Sequence, residues 1–72
     1  MTSIDMKHRV LIYDTLKSDR AFEWAKSHLE LKEWESEVFD NFDCFYFTNE
    51  LTCSIFVLVN GGKYIAPPRG TL

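Results

Sequence analysis

Residues 44–66 constrain the fold of this 72-residue chain more than any other stretch. They hold two runs rich in β-branched and aromatic residues, 44–48 and 53–59, and a third at 63–66, with turn-forming residues between each pair. The pattern predicts a three-stranded antiparallel meander. Asn60-Gly61-Gly62 supplies residues that accept positive φ and marks the second hairpin. Along such strands Tyr46, Ile55, Val57 and Val59 fall on one face, and Phe45, Phe47, Phe56 and Leu58 on the other. An antiparallel sheet with one wet face alternates apolar and polar residues, whereas both of these faces are apolar and need cover.

Upstream, residues 1–6 read as a loose terminus and residues 7–13 as a first strand whose apolar residues cluster at Val10–Tyr13. Asp14 to Asp19 form a turn that ends in good N-cap residues, and Ser18 or Asp19 opens a helix in which Ala21, Phe22, Ala25 and Leu29 recur at helical spacing. Leu31, Trp34, Val38 and Phe42 continue the spacing, but their apolar side points roughly 130° away from that of residues 21–29. One straight helix cannot bury both sides, so a kink near residues 29–33 is expected, with Asn41 as a stop. The predicted order is β-α-(α)-β-β-β. That is a single small α+β domain over residues 1–72, with one helix or a broken helix packed on a three- to four-stranded antiparallel sheet. Pro67-Pro68 ends the last strand, and residues 67–72 read as an extended tail.

A domain this short buries only about 60% of the surface its unfolded chain exposes, which its many large aromatic side chains partly offset. No apolar run reaches the roughly 18–20 residues that cross a bilayer, and residues 1–9 lack the apolar core of a signal peptide, so a cytoplasmic protein without a membrane partner is expected. In a reducing compartment Cys44 and Cys53 are free thiols, although paired strands of the predicted kind would place them on one face, where a disulfide is geometrically possible. The net charge of −3 argues against nucleic acid as a partner. Its distribution is uneven: residues 1–18 carry +1, residues 51–72 carry +2, and residues 19–50 carry −6.

Within that acidic segment Glu30, Glu33, Glu37 and Asp40 recur at i, i+3, i+7 and i+10, which on a helix forms one face opposite Trp34 and Val38. Carboxylates in such a row can stand in for backbone phosphates and occupy a basic groove on a nucleic-acid-binding protein. An ordinary solvated face, serving solubility, accounts for the same residues. Trp34 and Phe39 lie beside the row, and an exposed Trp or Phe there would anchor an interface, although any one aromatic is by default part of a core.

Other constellations give less. Phe45-Tyr46-Phe47 raises the possibility of bases stacking on a sheet, with Lys7, Arg9, Lys63 and Arg69 along one edge, but the glycine and basic residues of the RNA-binding signature are missing. His8, His28, Cys44 and Cys53 have no metal-ligand spacing. Asp14, with Thr15 and Asp19, can be read as a carboxylate site, and more simply as a helix cap. No phosphate loop, nucleophile elbow or Cys/His pairing is present, so neither an enzyme, a cofactor nor a small-molecule substrate is expected.

In composition alone, the small size, acidity and surplus of aromatics resemble the stand-alone inhibitors of phages and mobile elements; no motif carries a family assignment. The reading these residues favour is a non-enzymatic inhibitor or modulator that covers a basic surface of a larger protein through Glu30, Glu33, Trp34, Glu37, Phe39 and Asp40. The alternatives are a homodimer or small subunit of an assembly, with the acids serving solubility, and a single-stranded nucleic-acid binder.

Overall fold

In the computed structural model, which describes residues 8–65, the chain runs β1 (His8–Ile12), α1 (Thr15–His28), a 3-10 turn (Leu31–Glu33), β2 (Trp34–Val38), β3 (Asp43–Phe47), α2 (Glu50–Asn60) and β4 (Lys63–Ile65). The expected terminal segments, residues 1–6 and 67–72, lie outside the described residues. Strand order is β2-β3-β1-β4, and every pairing is antiparallel. It follows that β1 and β2 run parallel with β3 between them, and β3 and β4 run parallel with β1 between them. Two β-α-β crossovers are thus interleaved, which is the connectivity of a split β-α-β unit. The expected α+β class, with helix packed on an antiparallel sheet, is the observed one.

Two elements differ from their expected type. Residues 53–59 form most of α2 rather than a strand. Their β-branched and aromatic content favours a strand, but a short apolar run does not separate strand from buried helix by composition alone. The deciding chemistry lies at its ends. The Asn49 carboxamide oxygen accepts from the backbone N–H of Leu51 at 2.7 Å and of Thr52 at 3.2 Å, which caps the helix. Gly61 closes it with φ +81° while its N–H donates to the Val57 carbonyl at 2.8 Å.

Residues 34–38 are a strand rather than a second helical segment. Trp34, Ser36 and Val38 alternate with Glu35 and Glu37, and this period of two takes precedence over the helical spacing of the acids once Phe39 N–H donates to the Phe42 carbonyl at 2.9 Å and turns the chain into β3. The expected break after residue 29 is real, and a strand follows it.

Both helices lie on the same face of the sheet. Ser18, Ala21 and Ala25 form the buried side of α1, where small residues let it approach the strands closely, and Asp14 caps its start by accepting from the N–H groups of Leu16 and Lys17. The core contains Val10, Ile12, Trp34, Phe45, Phe47, Cys53 and Phe56. Phe56 projects from α2 to within 4.9 Å, centroid to centroid, of both Phe45 and Phe47, and Trp34 stacks on Phe45 at 6.3 Å. Gly62 is where the chain leaving α2 meets β1. Its φ is +108°, and a Cβ built there would stand 2.6 Å from Val10 Cγ1.

By strand alternation the opposite sheet face carries Arg9, Leu11, Glu35, Glu37, Cys44, Tyr46, Lys63 and Ile65. This face is mixed in polarity. The expectation that two apolar sheet faces need cover is therefore corrected: Ile55, Val57, Leu58 and Val59 belong to a helix, not to the sheet. Among the described residues no helix is long and apolar enough to cross a membrane.

Candidate interaction groove

At the end of the sheet where β1 enters α1 and β2 turns into β3, the two connections face each other across a groove of about 540 Å³. From the first connection come Tyr13, Asp14 and Thr15, with Ser18 and Asp19 from the first turns of α1; from the second come Val38 and residues 39–43. The turn geometry positions these side chains. Tyr13 follows directly on the last residue of β1, and the Phe39–Phe42 backbone hydrogen bond closes the hairpin so that the two phenyl rings stack at 4.9 Å. Tyr13 packs against Phe42 at 5.5 Å. The result is a three-ring cluster in which Tyr13 remains 62% exposed and Phe39 41% exposed.

Asp14, Asp19, Asp40 and Asp43 surround the rings, and no Lys, Arg or His lines the groove among the described residues. Asp14 is held by its capping bonds, and Asp43 accepts a hydrogen bond from the buried hydroxyl of Ser18. Fixed carboxylates around a concave, partly apolar surface concentrate negative potential there. Exposed π faces add attraction for a cation placed over them.

The six residues singled out from sequence do not form one surface. Glu30 and Glu33 bracket the 3-10 turn in a capping box, with Glu30 N–H donating to Glu33 Oε1 at 3.1 Å. Glu37 lies on β2, facing away from the helices, where its carboxylate accepts from the Tyr46 hydroxyl at 2.7 Å. Trp34 is 6% exposed, with its ring edge-on to Phe22 at 5.4 Å, so it is a core residue and not an exposed anchor. Phe39 and Asp40 alone reach the groove. The acidic helix face is corrected accordingly: its four residues fall on a turn, a strand and a hairpin loop.

What sequence reasoning missed is the partnership of that loop with Tyr13, Asp14, Asp19, Phe42 and Asp43. In sequence Asp14, with Thr15 and Asp19, reads as a carboxylate site and more simply as a helix cap. Their connection to the acidic segment depends on β3 lying between β1 and β2, which no local pattern encodes.

The remaining constellations separate. Phe45, Phe47 and Phe56 are buried, and Tyr46 is the only aromatic residue on the open sheet face among the described residues. Arg9 and Lys63 share that face, whereas Lys7 and Arg69 lie outside the described residues. His8 Nδ1 lies 2.9 Å from the Tyr64 hydroxyl, and His28 stacks on Trp24 at 4.9 Å. Cys44 belongs to the open sheet face and Cys53 to the core on the other side, so both are buried free thiols and the shared face that a disulfide would need does not exist. Burial pushes the Cys44 thiol above its ordinary range, and the Cys53 thiol up to about 11 with the Glu50 carboxylate adding to the effect. No group of three or more His, Cys, Asp or Glu among the described residues is placed to hold a metal ion. No protein-family model, curated protein or solved structure matches the chain.

Proposed function

We propose that this chain is a non-enzymatic protein-binding module that engages a basic surface of a larger protein through the groove and thereby blocks or modulates that surface. The observation that carries the reading is the half-exposed Tyr13–Phe42–Phe39 ring cluster walled by four aspartates with no cation among the lining residues. A lysine or arginine side chain entering there meets carboxylates at the rim and a π face at the floor. Such a contact contributes about 0.5–1 kcal/mol when exposed and about 2 kcal/mol when desolvated. The rim charges act mainly on encounter rate and partner choice. Among the described residues, the only hydroxyl buried beside the groove, that of Ser18, donates to a carboxylate and has no histidine next to it, an arrangement suited to holding the groove's shape rather than to nucleophilic attack.

The test is calorimetric titration with a short arginine-rich peptide at low and high salt. Binding is expected to weaken with salt, and to weaken at least about tenfold in Phe39→Ala and in Asp40→Lys. Charge reversal at Glu30 and Glu33, which lie outside the groove, is expected to leave affinity within about twofold. If Glu30→Lys/Glu33→Lys abolishes binding while Phe39→Ala does not, the groove reading fails.

A further inference from the structure

Among the described residues, α2 is covered on one side only. Cys53 and Phe56 are buried beneath it, while Leu51, Ile55, Leu58 and Val59 are exposed, Leu58 at 84%. At 100° per residue these four fall within an arc of about 100°, so they form one stripe along the helix. Tyr64 of β4 borders it, and with Ser54, Val57 and Leu58 it lines a shallow apolar depression. Leu51 to Asn60 contains no charged residue, on a chain whose net charge is −3.

We propose that this stripe is a homodimer interface, with a second copy of the chain as its occupant. Two features select that occupant. A stripe without charges offers no electrostatic recognition to a charged partner, but it is a surface on which two negatively charged copies can meet without bringing carboxylates together. The stripe is also self-complementary: Ile55 is at its centre, so an antiparallel crossing about a twofold axis puts Ile55 against its own counterpart and Leu51 against the Leu58–Val59 end of the partner helix. Four exposed apolar residues on one helix make a patch in the range of the largest on an ordinary monomer, roughly 300–600 Å² and often functional. It falls short of the roughly 800 Å² per partner of a standard stable interface, so the dimer is weak and concentration-dependent. None of the groove-lining residues belongs to α2, so the stripe and the groove share no residue.

Sedimentation of the full chain from about 5 μM to about 1 mM, a span of affinities of roughly 3 kcal/mol, tests this. A monomer–dimer equilibrium is expected, tightening as salt screens the net charge, which is the opposite salt response from groove binding. Leu58→Glu and Ile55→Arg are expected to raise the dissociation constant at least about tenfold, while Leu31→Glu, at an exposed position outside α2, leaves it unchanged. Circular dichroism and the thermal midpoint verify that each variant is folded, and Leu51→Lys serves where one is not. A chain that stays monomeric throughout, or one whose dimer is indifferent to both Leu58→Glu and Ile55→Arg, overturns the proposal. None of these results bears on the groove.

Discussion

Trp34 and Phe39 show how two aromatics five positions apart take opposite roles. Trp34 begins β2 on the helix-facing side and is held between Phe22 and Phe45, while Phe39 lies past the end of the strand and keeps two-fifths of its surface in water. Trp34→Ala is expected to cost about 3–5 kcal/mol, a large share of a domain stability of roughly 5–15 kcal/mol, and chemical denaturation measures it. Phe39→Ala, which removes one stacked ring pair at the surface, is expected to cost less, on the order of 1 kcal/mol. A shared loss of binding in the two variants therefore has two different causes, and the stability measurement separates them. Cys53 makes a second prediction at this scale. Its thiol is raised in the folded chain from the ordinary 9.0 to about 11, so it holds its proton there more tightly than when unfolded. A raised group contributes stability that is complete below the unfolded value and is lost as pH climbs through the folded one. The denaturation midpoint is thus expected to fall between about pH 9 and pH 11, and to fall less in Cys53→Ala. Equal falls in the two proteins would remove Cys53 as a cause and leave Cys44 and Tyr46, which are raised in the same direction.

The elements differ in how much of them local chemistry reveals. β1, α1 and β3 are legible from their apolar spacing, although α1 begins at Thr15 behind the cap residue Asp14, where the sequence reads as a turn with the cap at Ser18 or Asp19. β2 and α2 are not, and for opposite reasons. In β2 the charged residues satisfy a helical spacing and a strand alternation at once, and only the pairing with β3 decides between them. In α2 residue preference points to a strand, whereas Asn49 before it and Gly61-Gly62 after it point to a helix; the caps and the burial of Cys53 and Phe56, three residues apart, prevail. In sequence the double glycine reads as a hairpin turn although it ends a helix, because both uses need positive φ. Gly62 carries the sharper requirement. In Gly62→Ala the new methyl meets Val10 in a left-handed backbone conformation, and a loss of roughly 1–3 kcal/mol is expected by denaturation, more than a surface glycine substitution costs. An unchanged midpoint would mean that the α2–β4 connection relaxes freely away from β1.

Across the whole molecule, the order β2-β3-β1-β4 brings the acidic middle of the chain beside the β1–α1 connection. The concentration of negative charge in residues 19–50 is visible in the sequence, but its focus is not. Glu30, Glu33 and Glu37 are placed elsewhere, and Asp14, from outside that segment, joins Asp19, Asp40 and Asp43 around three rings contributed by two separate connections. The groove is thus a product of topology. It is most directly examined by backbone amide NMR of the full chain during titration with a peptide of about six arginines at low salt, where exposed charges interact over roughly a Debye length. Binding at the groove predicts shift changes concentrated in residues 13–19 and 38–43, saturating with peptide and needing at least about tenfold more of it in Phe39→Ala. Changes spread evenly over Glu30, Glu33, Glu35 and Glu37, or no saturable change anywhere, would contradict it.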